Sequence, residues 1–394
     1  MLSRRKFLNL AQSQNDTNSE AQDKLIFIFQ RGAADGLNLV VPYGDEDYYR
    51  NRPTLALGKP NSGAGSVIDL DGFFGLNPDM AALLPIFEAG NLAFIHACGS
   101  QDGSHSHFST QAFVDRGTVD EDYASGWLAR YVNAVGNPTG NPFQSIAMSL
   151  ATSPSLRGAE STVALNSIAD FNLLAPDGEV ESIKNQLSAM YAGNNAIDEV
   201  AQASFLAIDA ISGLNSDDFP VENDAQYPSS AFANKLKDLA ILLKSNLGVE
   251  VASVDIGGWD SHDSQATMLS GLAQDYANSL AAFYTDMGTA MDNITIVTLT
   301  EFGRRVAENG SGGTDHGTGN VAFVMGKAVN GGVVYRDWPG LATNQLVGPG
   351  DLAATTDFRT VLAEIFAKRM NFDDFATLFP DFTVGDFLGV VAAT

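Results

Sequence analysis

KLIFIFQRGAADG, residues 24–36, passes from an unbroken apolar stretch straight into a glycine-bearing turn. The apolar part is short and shows no helical periodicity, so it reads as a buried strand ending in a loop. The same form recurs in NLAFIHACG (91–99), SIAMSL (145–150), VEVASVDIGG (249–258), NITIVTLTEFG (293–303) and NVAFVMG (320–326). Helix-like segments lie between these strands. NPDMAALLPIFEAG (77–90) has Asn77 as cap and Pro78 in its first turn, and HFSTQAFVDRG (107–117) stops at Gly117. Further helices are expected near 126–135 and over 264–287, and at 356–370 with Thr356 as cap and Asp357 favourable to the dipole. Such alternation predicts an α/β fold: a three-layer α/β/α sandwich around a mostly parallel central sheet.

Two regions depart from the alternation. Residues 178–247 read as helical and rich in Ala, Asn, Ser and Asp, which predicts a helical insertion in one α/β unit spanning 24–394. The N-terminus, MLSRRKFLNL, opens like a twin-arginine export signal but runs on into polar sequence where an apolar segment should follow. Residues 11–23 are expected to lack structure. An exported or periplasmic protein and a cytoplasmic one with a chance basic start both remain open.

Charge narrows the partners. The chain has 394 residues, with 22 basic against 47 acidic and a net charge of −25. Such a surface repels nucleic acid and anionic lipid, and it repels anionic substrates unless bound cations reverse the local field. No stretch approaches the ~18–20 apolar residues needed to span a bilayer, so membrane insertion is not expected. Cys98 is the only cysteine, which excludes an intrachain disulfide and a cysteine-based metal cluster.

In a parallel sheet, functional residues belong at the carboxyl ends of the strands. Asp35 follows the first strand, and His105, Ser106 and His107 follow the second. Asp260 and His262 follow VEVASVDIGG, Glu301 ends NITIVTLTEFG, and Asp315 and His316 precede NVAFVMG. Each also has a plainer explanation. Asp35 is a turn residue or a ligand, and Ser106 caps a helix or is a nucleophile. His105 and His107 read as surface or supporting residues, His96 as a satisfied core histidine, and Asp255 has no role. The Asp260–His262 spacing can turn both side chains the same way, and carboxylate with imidazole is an ordinary ligand set for zinc. Four carboxylates gathered at one rim would repel by about 4 kcal/mol per pair at ~4 Å. Arg31, Arg304 and Arg305 are the nearby cations, and one or two divalent ions would complete the balance.

RRKFL, RGAADGLNLVVPYGDEDYYRNRP, SHSHFSTQAF, GGWDSHDSQ and EFGRRVAENGSGGTDHGTGN together resemble a bacterial family whose members usually carry twin-arginine export signals. That family is grouped with the alkaline phosphatase and sulfatase superfamily. The resemblance covers about 24 to 370. It implies an alkaline phosphatase-like sandwich in which a nucleophilic hydroxyl at a helix N-terminus bridges two metal ions. Transferred to this chain, it makes Ser106 the nucleophile and Asp260, His262 and His316 the ligands of one ion, most simply zinc. Asp35, Glu301 and Ser106 would hold a harder ion such as magnesium, manganese or calcium. Asp315 would assist as a ligand or orient His316, and Arg304 would clamp substrate oxygens. Glu301-Phe302 stands where the superfamily often has Asp-His, so a full two-zinc site is not implied. Formylglycine sulfatase chemistry is not implied either, because neither Cys98 nor Ser106 begins the required C/S-x-P-x-R frame. The implied function is metal-dependent hydrolysis of a small phosphate or sulfate ester. The alternative is a metal-stabilised binding or cell-envelope assembly protein on the same fold.

Overall fold

Leu25, Phe27 and Phe29 face one side of the first strand and Ile26 and Ile28 the other, and all five are at most 1% exposed. A strand buried on both faces needs a covering layer on each, and the rest of the chain supplies them. The computed structural model describes residues 22–100, 103–176, 178–214 and 216–393. The RRKFL start and nearly all of 11–23 lie outside these residues. Asp23, at the end of that segment, is ion-paired with Arg369.

Among the described residues the central sheet has nine strands. In chain order they are β1 (Lys24–Gln30), β2 (Leu92–Gly99), β3 (Ser145–Ala147), β4 (Thr162–Ala164), β5 (Val251–Ile256), β6 (Ile294–Thr300), β7 (Asn320–Met325), β8 (Val333–Tyr335) and β9 (Thr356–Asp357). Their order across the sheet is β8-β2-β7-β6-β1-β5-β3-β4, with β9 paired to β2. Every pairing is parallel except those of β7, which runs antiparallel to both β2 and β6. Because β7 is reversed, the loop before it opens at the same edge as the loops after β1, β2, β5 and β6.

The main helices are α1 (His107–Arg116), α2 (Trp127–Val135), α3 (Val180–Met190), α4 (Ala196–Ser212), α5 (Ala231–Lys244), α6 (Gln265–Met287) and α7 (Phe358–Arg369). Helices α1, α2 and α7 cover the Phe27 face, where Trp127 meets Phe27 edge-on at 5.1 Å and Phe366 packs behind it. Helices α5 and α6 cover the Ile26 face through Leu236, Leu239, Tyr276 and Leu280. The expected three layers are thus present. Within 178–247, α5 is a core helix with eight buried residues, whereas α3 buries none.

Two local expectations are corrected. The 77–90 segment is a 3-10 stretch, Pro78–Leu83, followed by a short α-helix, Leu84–Glu88. Asn77 does cap it, but Pro85 lacks the N–H that a continuous α-helix would need there. Helix α7 is capped by Asp357, whose carboxylate accepts from the Arg359 N–H at 2.9 Å, because β9 runs through Thr356 and Asp357 and the helix begins only at Phe358.

His96 lies fully buried in β2, stacked on Phe74 and donating from Nε2 to the Val40 carbonyl at 2.8 Å. It is the core histidine expected. Burial pushes its pKa down to about 4, from an ordinary value of 6.5. The unfolded chain therefore takes up this proton first, and stability falls as pH drops from about 6.5 towards 4. Denaturant unfolding of wild type and His96→Gln at neutrality and near pH 4 checks this. Wild type should lose on the order of 3 kcal/mol relative to the variant across that window.

Candidate metal centre

The first loop is built around a close approach. Gly32 has a φ of +119°, and a Cβ there would lie 2.7 Å from the Asp260 nitrogen, so only glycine lets the β1 and β5 loops touch. Ala33 follows with a φ of +59°, an unfavourable conformation for a residue with a side chain. Arg304 holds it in place. Its guanidinium, 1% exposed, donates to the carbonyls of Gly32, Ala33, Trp259 and Thr314 and to Asp260 Oδ1. One side chain thereby ties its own β6–β7 loop to the loops after β1 and β5. Gly303 completes the joint, since a Cβ there would sit 1.9 Å from the Gly319 carbonyl oxygen.

Four of the sequence-derived residues converge on this edge. Asp260 Oδ1 lies 3.2 Å from His262 Nε2 and 3.4 Å from His316 Nε2, and the two histidine nitrogens face each other at 2.8 Å. Asp315 Oδ1 lies 3.4 Å from His262 Nδ1 and accepts from Asn309 at 3.1 Å. It therefore sits beside His262 rather than beside His316.

His107, read from sequence as surface or supporting, belongs to the cluster. Its Nδ1 meets Glu301 Oε1 at 2.7 Å, and its Nε2 faces Asp260 Oδ2 at 3.5 Å. His107, Asp260 and His316 offer ligand atoms all within 4.8 Å of one another. The available signal was the His-Ser-His spacing at the start of α1, which repeats the Asp-x-His pattern of residues 260–262 at another strand's carboxyl end.

The remaining candidates have other partners. Asp35 is fully buried, and both its oxygens are held by Arg52, at 2.5 and 3.0 Å, with Gln265 as a further donor. Glu301 is also fully buried. Its Oε1 accepts from the Gly32 N–H, His107 and Gln111, and its Oε2 accepts from the Thr300 hydroxyl. Asp35 and Glu301 are thus saturated by protein donors, and the expected oxygen-only site for a harder ion is not assembled from them. The Nε and both terminal nitrogens of Arg304 are engaged, which takes it away from a substrate-clamping role. Ser106 is at the N-cap of α1, yet its hydroxyl makes no cap hydrogen bond, contrary to the capping expectation. It lies between His105, whose carbonyl meets His316 Nδ1 at 2.7 Å, and His107.

The electrostatics follow these contacts. Burial works against the charge of Asp260, but the hydrogen bond and charge of Arg304 outweigh it and lower the pKa. Burial likewise opposes ionisation of Glu301, and the His107 and Gln111 hydrogen bonds overcome it, holding the pKa down at about 2. Asp315 is lowered chiefly by Asn309. His316 is lowered by burial, then by the neighbouring positive charges, and so favours the neutral ring that a metal requires. His107 is raised, mainly by its bond to Glu301. The crowding of carboxylates anticipated from sequence is relieved in part by arginines, with Arg52 on Asp35 and Arg304 on Asp260.

A family model described as "Protein of unknown function (DUF1501)" matches residues 22–364. The chain belongs to DUF1501. Among the curated proteins no match is found for this DUF1501 chain. Solved structures similar to it include alkaline phosphatase from the Antarctic bacterium TAB5, at 10% identity over 78% of this chain and 92% of that one, with a TM-score of 0.32. Another is the zinc complex of the C-terminal periplasmic domain of EcEptC from Escherichia coli, at 11% identity over 79% and 75%, with a TM-score of 0.36. The lipoteichoic acid synthase LtaP from Listeria monocytogenes is similar at 10% identity over 98% and 80%, also at 0.36. Likeness at this level does not reach to activity.

The Arg52–Asp35 pair gives the site a testable support. Removing one buried partner strands the other charge, so Arg52→Met should destabilise the DUF1501 chain by about 3–5 kcal/mol. Joint replacement with Asp35→Leu should recover most of that loss. Urea unfolding of the two variants against wild type measures it.

Proposed function

We propose that this chain is a divalent-metal-dependent hydrolase of phosphate or sulfate esters. In this reading His107, Asp260, His262 and His316 hold the cation, and Ser106 is the attacking hydroxyl. One observation carries it: three imidazoles present the same nitrogen to one carboxylate. Each Nδ1 faces an oxygen, Glu301 for His107, Asp315 for His262 and the His105 carbonyl for His316. Those partners place the ring proton on Nδ1 and leave Nε2 as a lone pair. Two such lone pairs 2.8 Å apart, in His262 and His316, repel unless a proton or cation lies between them. His107 Nε2 is buried with no hydrogen-bond partner. Three nitrogens and one carboxylate form a donor set suited to zinc.

A cation bound there would supply Lewis acidity towards the ester and ease ionisation of a nearby hydroxyl. The residues around it do the positioning. Glu301 fixes the His107 ring, the His105 carbonyl fixes His316, and Arg304 fixes the Asp260 carboxylate, so the ligands are oriented beforehand. In this reading Ser106, which lies between His105 and His107 in sequence and makes no capping bond, supplies the hydroxyl that forms a bond to phosphorus or sulfur as the ester oxygen leaves. The small anionic ester reaches this edge of a strongly acidic protein because the bound cation reverses the local field.

A second reading is a metal-stabilised binding or cell-envelope assembly protein. The engagement of Arg304 favours it, since its guanidinium is spent on Gly32, Ala33, Trp259, Thr314 and Asp260 and is not free for substrate oxygens. Among the described residues no helix is long and apolar enough to cross a membrane.

Elemental analysis of the purified chain should find about one divalent ion, zinc foremost, and Asp260→Ala or His316→Ala should lose it. Glu301→Gln should weaken retention by about 10–100-fold through the His107 ring. Turnover of a phosphomonoester, diester and sulfate ester panel should vanish in Ser106→Ala. Activity that survives the serine change removes the serine mechanism, whereas bound metal without turnover of any ester supports the second reading.

A further inference from the structure

Beside the candidate metal centre lies a cavity of about 430 Å³ that none of these roles uses. One wall is a single face of α1, where Phe108, Gln111, Asp115 and Arg116 recur at helical spacing. Tyr123 and Arg157 lie on other segments that line it. Gln111 belongs to both places: it lines the cavity and donates to Glu301 Oε1, the oxygen that also meets His107. The cavity is therefore one side chain removed from the cluster.

Its arginines stand apart from the others. Arg116 and Arg157 have no ion pair and no side-chain hydrogen bond among the described residues, and both line this cavity. Every other described arginine has a carboxylate partner or, for Arg130, a set of backbone carbonyls. The Nε of Arg116 is moreover buried without an acceptor, a desolvation cost that a bound oxyanion would remove. Asp115 also lines the cavity, but it is paired with Arg31 at 2.7 Å. Glu121, exposed, is the remaining carboxylate there. On a chain of net charge −25, two arginines that share one cavity and form no ion pair among the described residues are poorly explained by surface composition alone. Phe108, 92% exposed, and Tyr123 add flat apolar surface.

We propose that this cavity binds an oxyanion attached to a planar apolar body, with Arg116 and Arg157 receiving the charge and Phe108 and Tyr123 the ring. On the hydrolase reading, on which this step rests, it holds the part of the ester that is not transferred. It then sets a preference for aryl esters bearing a second negative charge.

Calorimetric titration of the full chain with benzenesulfonate, before and after chelation with EDTA, tests the binding independently of catalysis. Saturable binding is expected in both states, with benzenesulfonamide, the neutral isostere, failing to bind. Arg116→Gln and Arg157→Gln should each weaken binding by about tenfold. Arg157 is exposed, so its variant should fold normally, and Arg116→Lys should retain part of the affinity. Absence of binding, equal affinity of wild type and the double variant, equal binding of the sulfonamide, or loss of binding on chelation would each overturn the proposal. A kinetic arm compares 4-sulfophenyl phosphate with phenyl phosphate. The kcat/KM ratio should favour the former in wild type and fall towards one in the double variant. If neither ester is turned over, the hydrolase reading fails while the titration still decides the cavity.

Discussion

Arg304 is the constraint on which the edge of the sheet depends. A buried guanidinium must find acceptors for its N–H groups, and here these are the carbonyls of Gly32, Ala33, Trp259 and Thr314 together with the Asp260 carboxylate. Those acceptors come from three different loops. Satisfying one side chain therefore fixes the relative positions of three segments that are distant in sequence. It also keeps Ala33 in a conformation it would not choose alone. Asp260, His262 and His316 meet because the backbone beneath them is clamped, and His107 joins them through its bond to Glu301.

Around this clamp the charges are settled at two levels. Deep carboxylates are neutralised or fully hydrogen-bonded within the protein, as Asp35 is by Arg52 and Glu301 by His107, Gln111, the Thr300 hydroxyl and a backbone N–H. Shallow groups keep donor atoms turned towards one another: Asp260, His262 and His316, with His107 Nε2 at 3.5 Å. This division separates residues that hold the framework from those that can hold a ligand.

Much of this was legible in the sequence. Apolar runs ending in turn residues located β1, β2, β5, β6 and β7, because a strand buried on both faces leaves a signal that does not depend on its partners. The rule that functional loops follow strand ends then pointed to Asp260 and His262, and the family resemblance joined His316 to them. What stayed hidden was pairwise. Nothing local to Asp35 shows that Arg52, seventeen positions on, will take both its oxygens. Nothing in the TEFG sequence shows that Arg304 turns inward to carbonyls instead of outward to a substrate. His107 reads as a surface residue in sequence because a histidine beginning a helix resembles one until Glu301 is placed against it. The capping of α7 by Asp357 instead of Thr356 has the same origin, a strand pairing through Thr356 and Asp357 that no local rule contains.

The reversed direction of β7 has a mechanical consequence. Because β6 ends at Thr300 and β7 begins at Asn320, the segment bearing Glu301, Arg304, Asp315 and His316 is stitched into the sheet at both extremities. It is less a flap than a bridge with two abutments. Fraying cannot release His316 from one side alone, as it could at the free end of a chain. Losing the ring's position requires unzipping a hydrogen-bonded ladder in the middle of the sheet, so the histidine cluster should persist until the core itself gives way.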